Sequence, residues 1–164
     1  MATAYITRTP AGTGNQRTFT MSYWLKRCEW GSGDNFYSQS DGKCYMEFTS
    51  GEADRMRLYI NGVEEVAANW STTNYPAQDA DILINTTLQY YIGSQTASTN
   101  YFNGCMSHIV FTDGTAYAPT VFGEFDATDG MWNIKTSPAV TYGTNGFYLK
   151  MEDRTNLDLD SGTN

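Results

Sequence analysis

One histidine, three cysteines and a surplus of carboxylates are the residues from which this chain could build chemistry. His108 lies in Met106-Ser-His-Ile-Val110, a stretch with strand alternation, where it points away from Cys105, Ile109 and Phe111. A Cys–His dyad needs thiol and imidazole on one side of a strand, so Cys105 and His108 are not expected to form one. A lone histidine provides no multi-histidine metal site within one chain, and it reads as a solvent-edge or hydrogen-bonded strand residue. Two carboxylates flanking a bond could hydrolyse a glycoside. Glu64 and Glu65 are adjacent and face opposite ways, while Glu124, Asp126 and Asp129 are expected in a loop, so neither set makes such a pair. Asp158-Leu-Asp160-Ser-Gly162-Thr-Asn164, with Asp153 nearby, partly matches a calcium loop. It lacks an acidic residue at the fifth place and a closing Glu, and a solvated acidic tail is the preferred reading. Gly12 and Gly14 form a turn rather than a phosphate cradle, since no helix follows. Asn69-Trp-Ser71 and Asn85-Thr-Thr87 fit a glycosylation acceptor and read as chance matches. Cys28, Cys44 and Cys105 are far apart with no C-x-x-C pair. They read as reduced thiols, the alternative being one disulfide and a free thiol. No catalytic residue, no metal ligand and no firm cofactor follow from these residues.

Aromatic side chains are the remaining functional candidates. Trp24, Trp30, Trp70, Tyr75 and Trp132 fall on a polar strand face or in loops. Sugars stack on such rings through their apolar faces, with Asn, Asp and Gln reading the hydroxyls. Trp24, Trp70, Tyr75 and Trp132 are therefore the glycan-binding candidates, and capping of a core is the competing role at each.

These residues must be positioned by strands. From Thr18 to Arg27, Phe19, Met21, Tyr23 and Leu25 point one way, and Thr20, Ser22, Trp24 and Lys26 the other. Further strands are expected at Cys44–Phe48, at Arg55–Ile60 with Met56, Leu58 and Ile60 inward, and at Val63–Val66. Others are expected at Leu88–Ile92, at Tyr101–Thr112 with a bend at Asn103-Gly104, and at Gly146–Met151. Asn61-Gly62 predicts a tight hairpin, because both positions tolerate positive φ. One helical turn is expected near Pro119-Thr-Val-Phe122, ended by Gly123. Many short strands with frequent turn signals predict an all-β sandwich or barrel. One domain over residues 1–152 is expected, followed by a loose polar tail over 153–164.

Bulk composition narrows the partners. The chain has 164 residues, enough for one domain with a sizeable core. Its 12 Tyr, 8 Phe and 4 Trp suit pleated, half-buried surfaces. A net charge of −8 without any Lys/Arg cluster argues against nucleic acid and against anionic membrane. No apolar run is long enough to span a bilayer. The start, Met1-Ala-Thr-Ala-Tyr5, lacks the features of a signal peptide. The expectation is folding in a cytoplasm, or a leader already removed.

Several phrases together resemble a known family. They are Tyr5-Ile-Thr-Arg-Thr9, Asn15-Gln-Arg-Thr-Phe-Thr-Met-Ser-Tyr-Trp-Leu-Lys-Arg27, Asp54-Arg-Met-Arg-Leu-Tyr-Ile-Asn-Gly62, Tyr91-Ile-Gly93, Phe102-Asn-Gly104 and Tyr117-Ala-Pro-Thr-Val-Phe-Gly-Glu124. Tyr142-Gly-Thr-Asn-Gly-Phe-Tyr-Leu-Lys150 is the most specific. In order and spacing they are similar to tailed-phage virion proteins with a concanavalin A-like lectin/glucanase, or laminin-G-like, domain, and the likeness runs to about residue 160. The resemblance implies a two-sheet antiparallel jelly-roll sandwich and a non-enzymatic structural role at the virion surface after synthesis in the host cytoplasm. That role is capsid decoration or a tail-appendage subunit. It implies other virion proteins and symmetric self-association as partners. The alternative is a tail-fibre adhesin module binding a host-surface glycan, and a glycan-degrading enzyme stands third. Two departures are visible. Arg27 to Arg55 is short, with Lys43-Cys-Tyr45 where the family carries Trp-x-His. The chain also stops just after Asp160-Ser-Gly162, as a stand-alone version or as the front part of a longer protein.

Overall fold

The computed structural model describes residues 4–27, 37–39, 57–65 and 79–162. The longest strands arise where the period-2 pattern is longest. The alternating stretch forms β2 (Phe19–Arg27), which pairs antiparallel with β7 (Gly104–Asp113), and β7 pairs on its other side with β10 (Phe147–Leu149). A second three-stranded antiparallel sheet has the order β1 (Ile6–Arg8), β6 (Tyr90–Ile92), β3 (Tyr37–Gln39). Two hairpins complete the described strands. One joins β4 (Tyr59–Ile60) to β5 (Val63–Glu64), and the other joins β8 (Gly123–Phe125) to β9 (Trp132–Ile134). The expected helical turn is a short 3-10 turn over Pro119–Val121, and Gly123 then opens β8. The fold is all-β with antiparallel pairing throughout. Among the described residues the pairing is divided over four sheets, rather than the two continuous sheets that the resemblance implies, because most strands run for only two or three residues. The expected strand Cys44–Phe48 lies outside the described residues, as do Arg55, Met56 and Val66 of two others.

The chain divides into two compact units. The first comprises Met1–Tyr45, Leu83–Ala116 and Thr141–Asn164, and the second Met46–Ile82 and Tyr117–Val140. In the first unit the core is aromatic and aliphatic. Tyr90, Ile92, Ile109, Phe111, Phe147 and Leu149 are almost fully buried. Phe111 is its hub, with Phe19 at 6.1 Å, Phe147 at 5.8 Å and Tyr90 edge-on at 6.4 Å between ring centroids. Tyr90 belongs to β6 and Phe111 to β7, so this ring contact joins the two three-stranded sheets. Arg8 of β1 lies over the Phe147 ring of β10 at 4.6 Å, a second link between them.

The β2–β7 pairing carries a bulge that the sequence pattern does not announce. Ser22 pairs with Val110 and Trp24 with Ser107, so Tyr23 faces two residues of β7, His108 and Ile109. His108 adopts φ 50°, the left-handed conformation that lets one extra residue enter a ladder. Not every residue expected inward is buried. Phe19 and Met21 sit opposite Asp113 and Phe111 in register, but Leu25, expected inward, is exposed. Ile60, also expected inward, is exposed as well. At Asn61-Gly62 the expected turn is present, with φ 50° and 77°, the two positive values of a type I′ hairpin.

Candidate functional site

The polar residues of the first unit are largely engaged with one another. Asn85 is completely buried. Its Nδ2 donates to the Asn15 carbonyl at 3.0 Å and to Asp113 Oδ1 at 2.7 Å, and its Oδ1 accepts from Asn145 Nδ2 at 2.9 Å. Asp113 Oδ1 also accepts from the Asn15 backbone N–H at 2.7 Å, and Oδ2 accepts from that of Asn145 at 3.2 Å. Asn145 Nδ2 reaches the Gly12 carbonyl, and the Gly14 N–H donates to the Asn85 carbonyl, both at 2.9 Å. Gly14 is required here, since a Cβ would overlap the side chains of Asn85, Asp113 and Asn145. The Gly12–Gly14 turn thus closes over a hydrogen-bonded knot, and Asn85 has its amide committed inside the protein. A buried amide of this kind holds three loops together and offers no group to a substrate.

His108 does not sit at a solvent edge, and its ring is not hydrogen-bonded. Its side chain is 14% exposed, and neither ring nitrogen has a hydrogen-bond partner. The Tyr148 ring lies 5.9 Å away and Glu152 Oε1 is 3.8 Å from Nε2. Burial holds the imidazole below its ordinary pKa. The Glu152 carboxylate opposes this shift and the Lys150 ammonium adds to it. The ring is therefore neutral at neutral pH, and the Glu152 contact is not then an ion pair. The unexpected burial follows from the bulge, which turns this side chain off the alternation of its strand. Cys105 is an exposed free thiol, while Cys28 and Cys44 lie outside the described residues.

Asp160, the strongest residue of the partial calcium loop, has its carboxylate occupied by protein donors. Oδ1 accepts from the backbone N–H groups of Tyr148 and Gly162, each at 2.9 Å, and Oδ2 meets Arg8 Nη2 at 2.7 Å. The tail expected to be loose is thereby tied to β10 and β1, with Ser161 N–H also donating to the Tyr148 carbonyl at 2.7 Å. Among the described residues no group of three or more His, Cys, Asp or Glu could hold a metal ion.

The second unit has a different surface. Trp132 pairs with Phe125 across β8–β9, their rings perpendicular-like at 69° and 4.9 Å apart. The indole lies against two glycines. A Cβ at Gly62 would overlap its six-membered ring, and a Cβ at Gly123 would come within 2.6 Å of Nε1. The indole therefore seats the Asn61-Gly62 turn beside the β8–β9 hairpin. On these two hairpins Ile60, Val63, Phe125 and Met131 are 53, 57, 53 and 61% exposed. Exposed single apolar residues are ordinary; here four of them lie on two hairpins that one indole joins.

Acidic groups lie on and beside the same two hairpins. The turn between β8 and β9 is closed by Asp126 N–H to the Met131 carbonyl at 2.7 Å and by Gly130 N–H to the Asp126 carbonyl at 2.9 Å. Asp126 Oδ1 accepts from Thr128 N–H at 2.7 Å, which holds its carboxyl below the usual range and keeps it ionised. Asp129 Oδ1 accepts from Met131 N–H at 2.8 Å. Lys135 is taken by the Thr120 carbonyl at 2.9 Å and Glu124 at 3.2 Å, and Arg57 lies 3.6 Å from Glu64. Glu124, expected in a loop, stands in β8. Ten of the 18 acidic residues belong to this unit, against three basic ones, Arg55, Arg57 and Lys135. It therefore carries −7 of the net −8.

The four sequence candidates are distributed as follows. Trp24 is half-buried on β2 of the first unit, opposite Ser107. Trp132 is half-buried in the second unit, packed as described. Trp70 and Tyr75, with Trp30, lie outside the described residues. Sequence reasoning missed Ile60, Val63, Phe125 and Met131. The available signal was an apolar residue on each side of two turns, Ile60-Asn-Gly-Val63 and Phe125-Asp-Ala-Thr-Asp-Gly-Met131. No family model, curated protein or solved structure matches this chain.

Proposed function

We propose that this chain is a non-enzymatic structural protein of a tailed-phage virion, a capsid-decoration or tail-appendage subunit. It docks on another virion protein through the hairpin face of its second unit. The observation that carries this reading is the exposure of Ile60, Val63, Phe125 and Met131 on the two hairpins that Trp132 joins. An apolar centre with a polar rim is the usual anatomy of a docking surface. The acidic groups on and beside these hairpins specify the partner's chemistry, an apolar acceptor flanked by Lys or Arg. Two copies of this face would set like charges against each other, which disfavours self-pairing through it. The virion setting rests on the sequence resemblance, above all Tyr142-Gly-Thr-Asn-Gly-Phe-Tyr-Leu-Lys150. The two-sheet jelly roll of that family belongs to the same proposal. Ring contacts between the two three-stranded sheets of the first unit support it. The direct test is to image the parent particle by electron microscopy and to locate the chain. Copies in contact through Phe125 and Met131 support the reading, and absence from the particle overturns it.

A further inference from the structure

We propose that Asn61 is a self-modification site, where the side-chain amide is lost by deamidation and the β4–β5 turn is left with aspartate or isoaspartate. The chain contains three Asn-Gly pairs, Asn61-Gly62, Asn103-Gly104 and Asn145-Gly146. In such a pair the glycine nitrogen attacks the Cγ carbon of the asparagine, because glycine has no side chain to block the approach. The nitrogen gives up its proton, the Cγ–Nδ2 bond breaks, and ammonia leaves as a five-membered succinimide closes. Water, the only co-reactant, then opens the ring at either carbonyl. One opening restores the backbone with an aspartate, and the other gives isoaspartate, whose backbone runs through the side-chain carbon.

The fold separates the three pairs. Asn145 is held against the reaction. Its Nδ2 donates to the Gly12 carbonyl and to Asn85 Oδ1, each at 2.9 Å, and its backbone N–H donates to Asp113 at 3.2 Å. Gly146 is buried, and a Cβ there would overlap the Tyr142 carbonyl, so ring closure must break two side-chain hydrogen bonds and swing packed backbone. Asn103 is exposed, but Gly104 opens β7 opposite Arg27 of β2, with no room for a Cβ beside the Lys26 carbonyl. Its nitrogen is fixed at the end of a long ladder.

Asn61 has neither restraint. It is exposed, at φ 50°, and Gly62 follows at φ 77°. Among the described residues no hydrogen bond holds its side-chain amide or the Gly62 N–H. β4 and β5 contribute two residues each and pair with no other described strand. A two-stranded hairpin of this kind is marginal by itself, so the turn opens locally and brings the Gly62 nitrogen onto Asn61 Cγ while the rest of the unit stays folded. The packing that this opening disturbs is the Trp132 indole against Gly62. Either product adds a negative charge to a turn followed by Glu64 and Glu65. Isoaspartate also lengthens the turn by a backbone carbon, which moves Gly62 off the indole. The site rests on the turn alone and stands whether or not the hairpin face docks.

The test is to age the full chain at neutral and at mildly alkaline pH, digest it, and follow each Asn-Gly peptide by mass spectrometry, with isoaspartate counted by enzymatic methylation. The Asn61 peptide should convert about tenfold faster than the Asn145 peptide, the penalty of the two hydrogen bonds that Asn145 must break. It should also outrun the Asn103 peptide. Conversion should speed up at the higher pH, because the attacking nitrogen must lose its proton. In guanidinium chloride the three peptides should convert at similar rates, which makes the order a property of the fold. Tryptophan fluorescence should drift with conversion in wild type. Asn61→Gly accepts the positive φ and lacks the amide, so its fluorescence should stay constant on ageing, with circular dichroism showing that it is folded. Equal rates for the three peptides in the folded chain overturn the proposal. So does an Asn61 peptide that stays unconverted, or converts after either of the others, over a time in which the unfolded chain reacts.

Discussion

Replacing Asp113 by Ala should be among the most destabilising changes outside the apolar core. Its carboxylate accepts from Asn15 N–H, from Asn85 Nδ2 and from Asn145 N–H. The Asn15 donor is exposed, and water can take the vacated place, at a cost of about 0.5–1 kcal/mol. Asn85 is fully buried and keeps only the Asn15 carbonyl as partner for its two amide hydrogens, so about 1–3 kcal/mol is lost there. The part-buried Asn145 N–H adds about 1 kcal/mol. The sum, about 2.5–5 kcal/mol, is a large fraction of a typical domain's stability of about 5–15 kcal/mol. Asp113→Asn retains one acceptor and turns an NH2 group toward one of the donors, and should cost about half as much. Urea unfolding followed by circular dichroism measures both variants, with the m-value checked for constancy. A loss below about 1 kcal/mol for Asp113→Ala would refute the reasoning, because it would mean that water serves the knot as well as the carboxylate does.

Other consequences follow from the same geometry. His108 has its folded pKa below its unfolded value of about 6.5, so the unfolded state binds the proton more readily. Stability should be full above pH about 6.5 and fall as pH drops through the folded pKa. His108→Asn, which tolerates the left-handed backbone, should flatten this dependence in thermal melts, and an unchanged slope would contradict it. Tyr148 has its pKa pushed up to about 12, mainly by burial, so stability should decline as pH rises from about 10 toward that value. Tyr148→Phe should remove that decline in alkaline melts. Phe111→Ala should cost about 3–5 kcal/mol in urea unfolding, because it empties the hub of the ring cluster. Gly62→Ala should cost about 1–2 kcal/mol for the positive φ alone, with more for displacing Trp132. It should also change the tryptophan fluorescence.

The legible parts of the fold were those fixed by local chemistry. Asn61-Gly62 specifies its turn by itself, because few other pairs accept two positive φ values cheaply. Alternation placed β2 within one residue, and Pro119 marked the short helical turn. The β2–β7 bulge was not legible, since a bulge belongs to a pairing and neither strand announces its partner. Its consequence, the burial of His108, was hidden with it. The β8–β9 hairpin was hidden because Asp126-Ala-Thr-Asp-Gly130 reads as loop, and only the backbone bonds across it reveal two strands. Among the aromatic candidates, the tryptophans drew attention by their size. The contact between Tyr5 and Tyr91 was invisible because the two rings are brought together only by the β1–β6 pairing. The polar knot was equally hidden, since Asn15, Asn85, Asp113 and Asn145 are dispersed along the chain and meet only in the folded unit.

The most direct test of the central claim is a particle-occupancy measurement with a double variant, Phe125→Asp with Met131→Asp. Both side chains are exposed, so the fold should survive, as circular dichroism can verify. Particles lacking the native protein are mixed with wild type or variant and imaged by electron microscopy. The account predicts full occupancy for wild type and loss of attachment for the variant. A folded variant that attaches as well as wild type would contradict docking through the hairpin face.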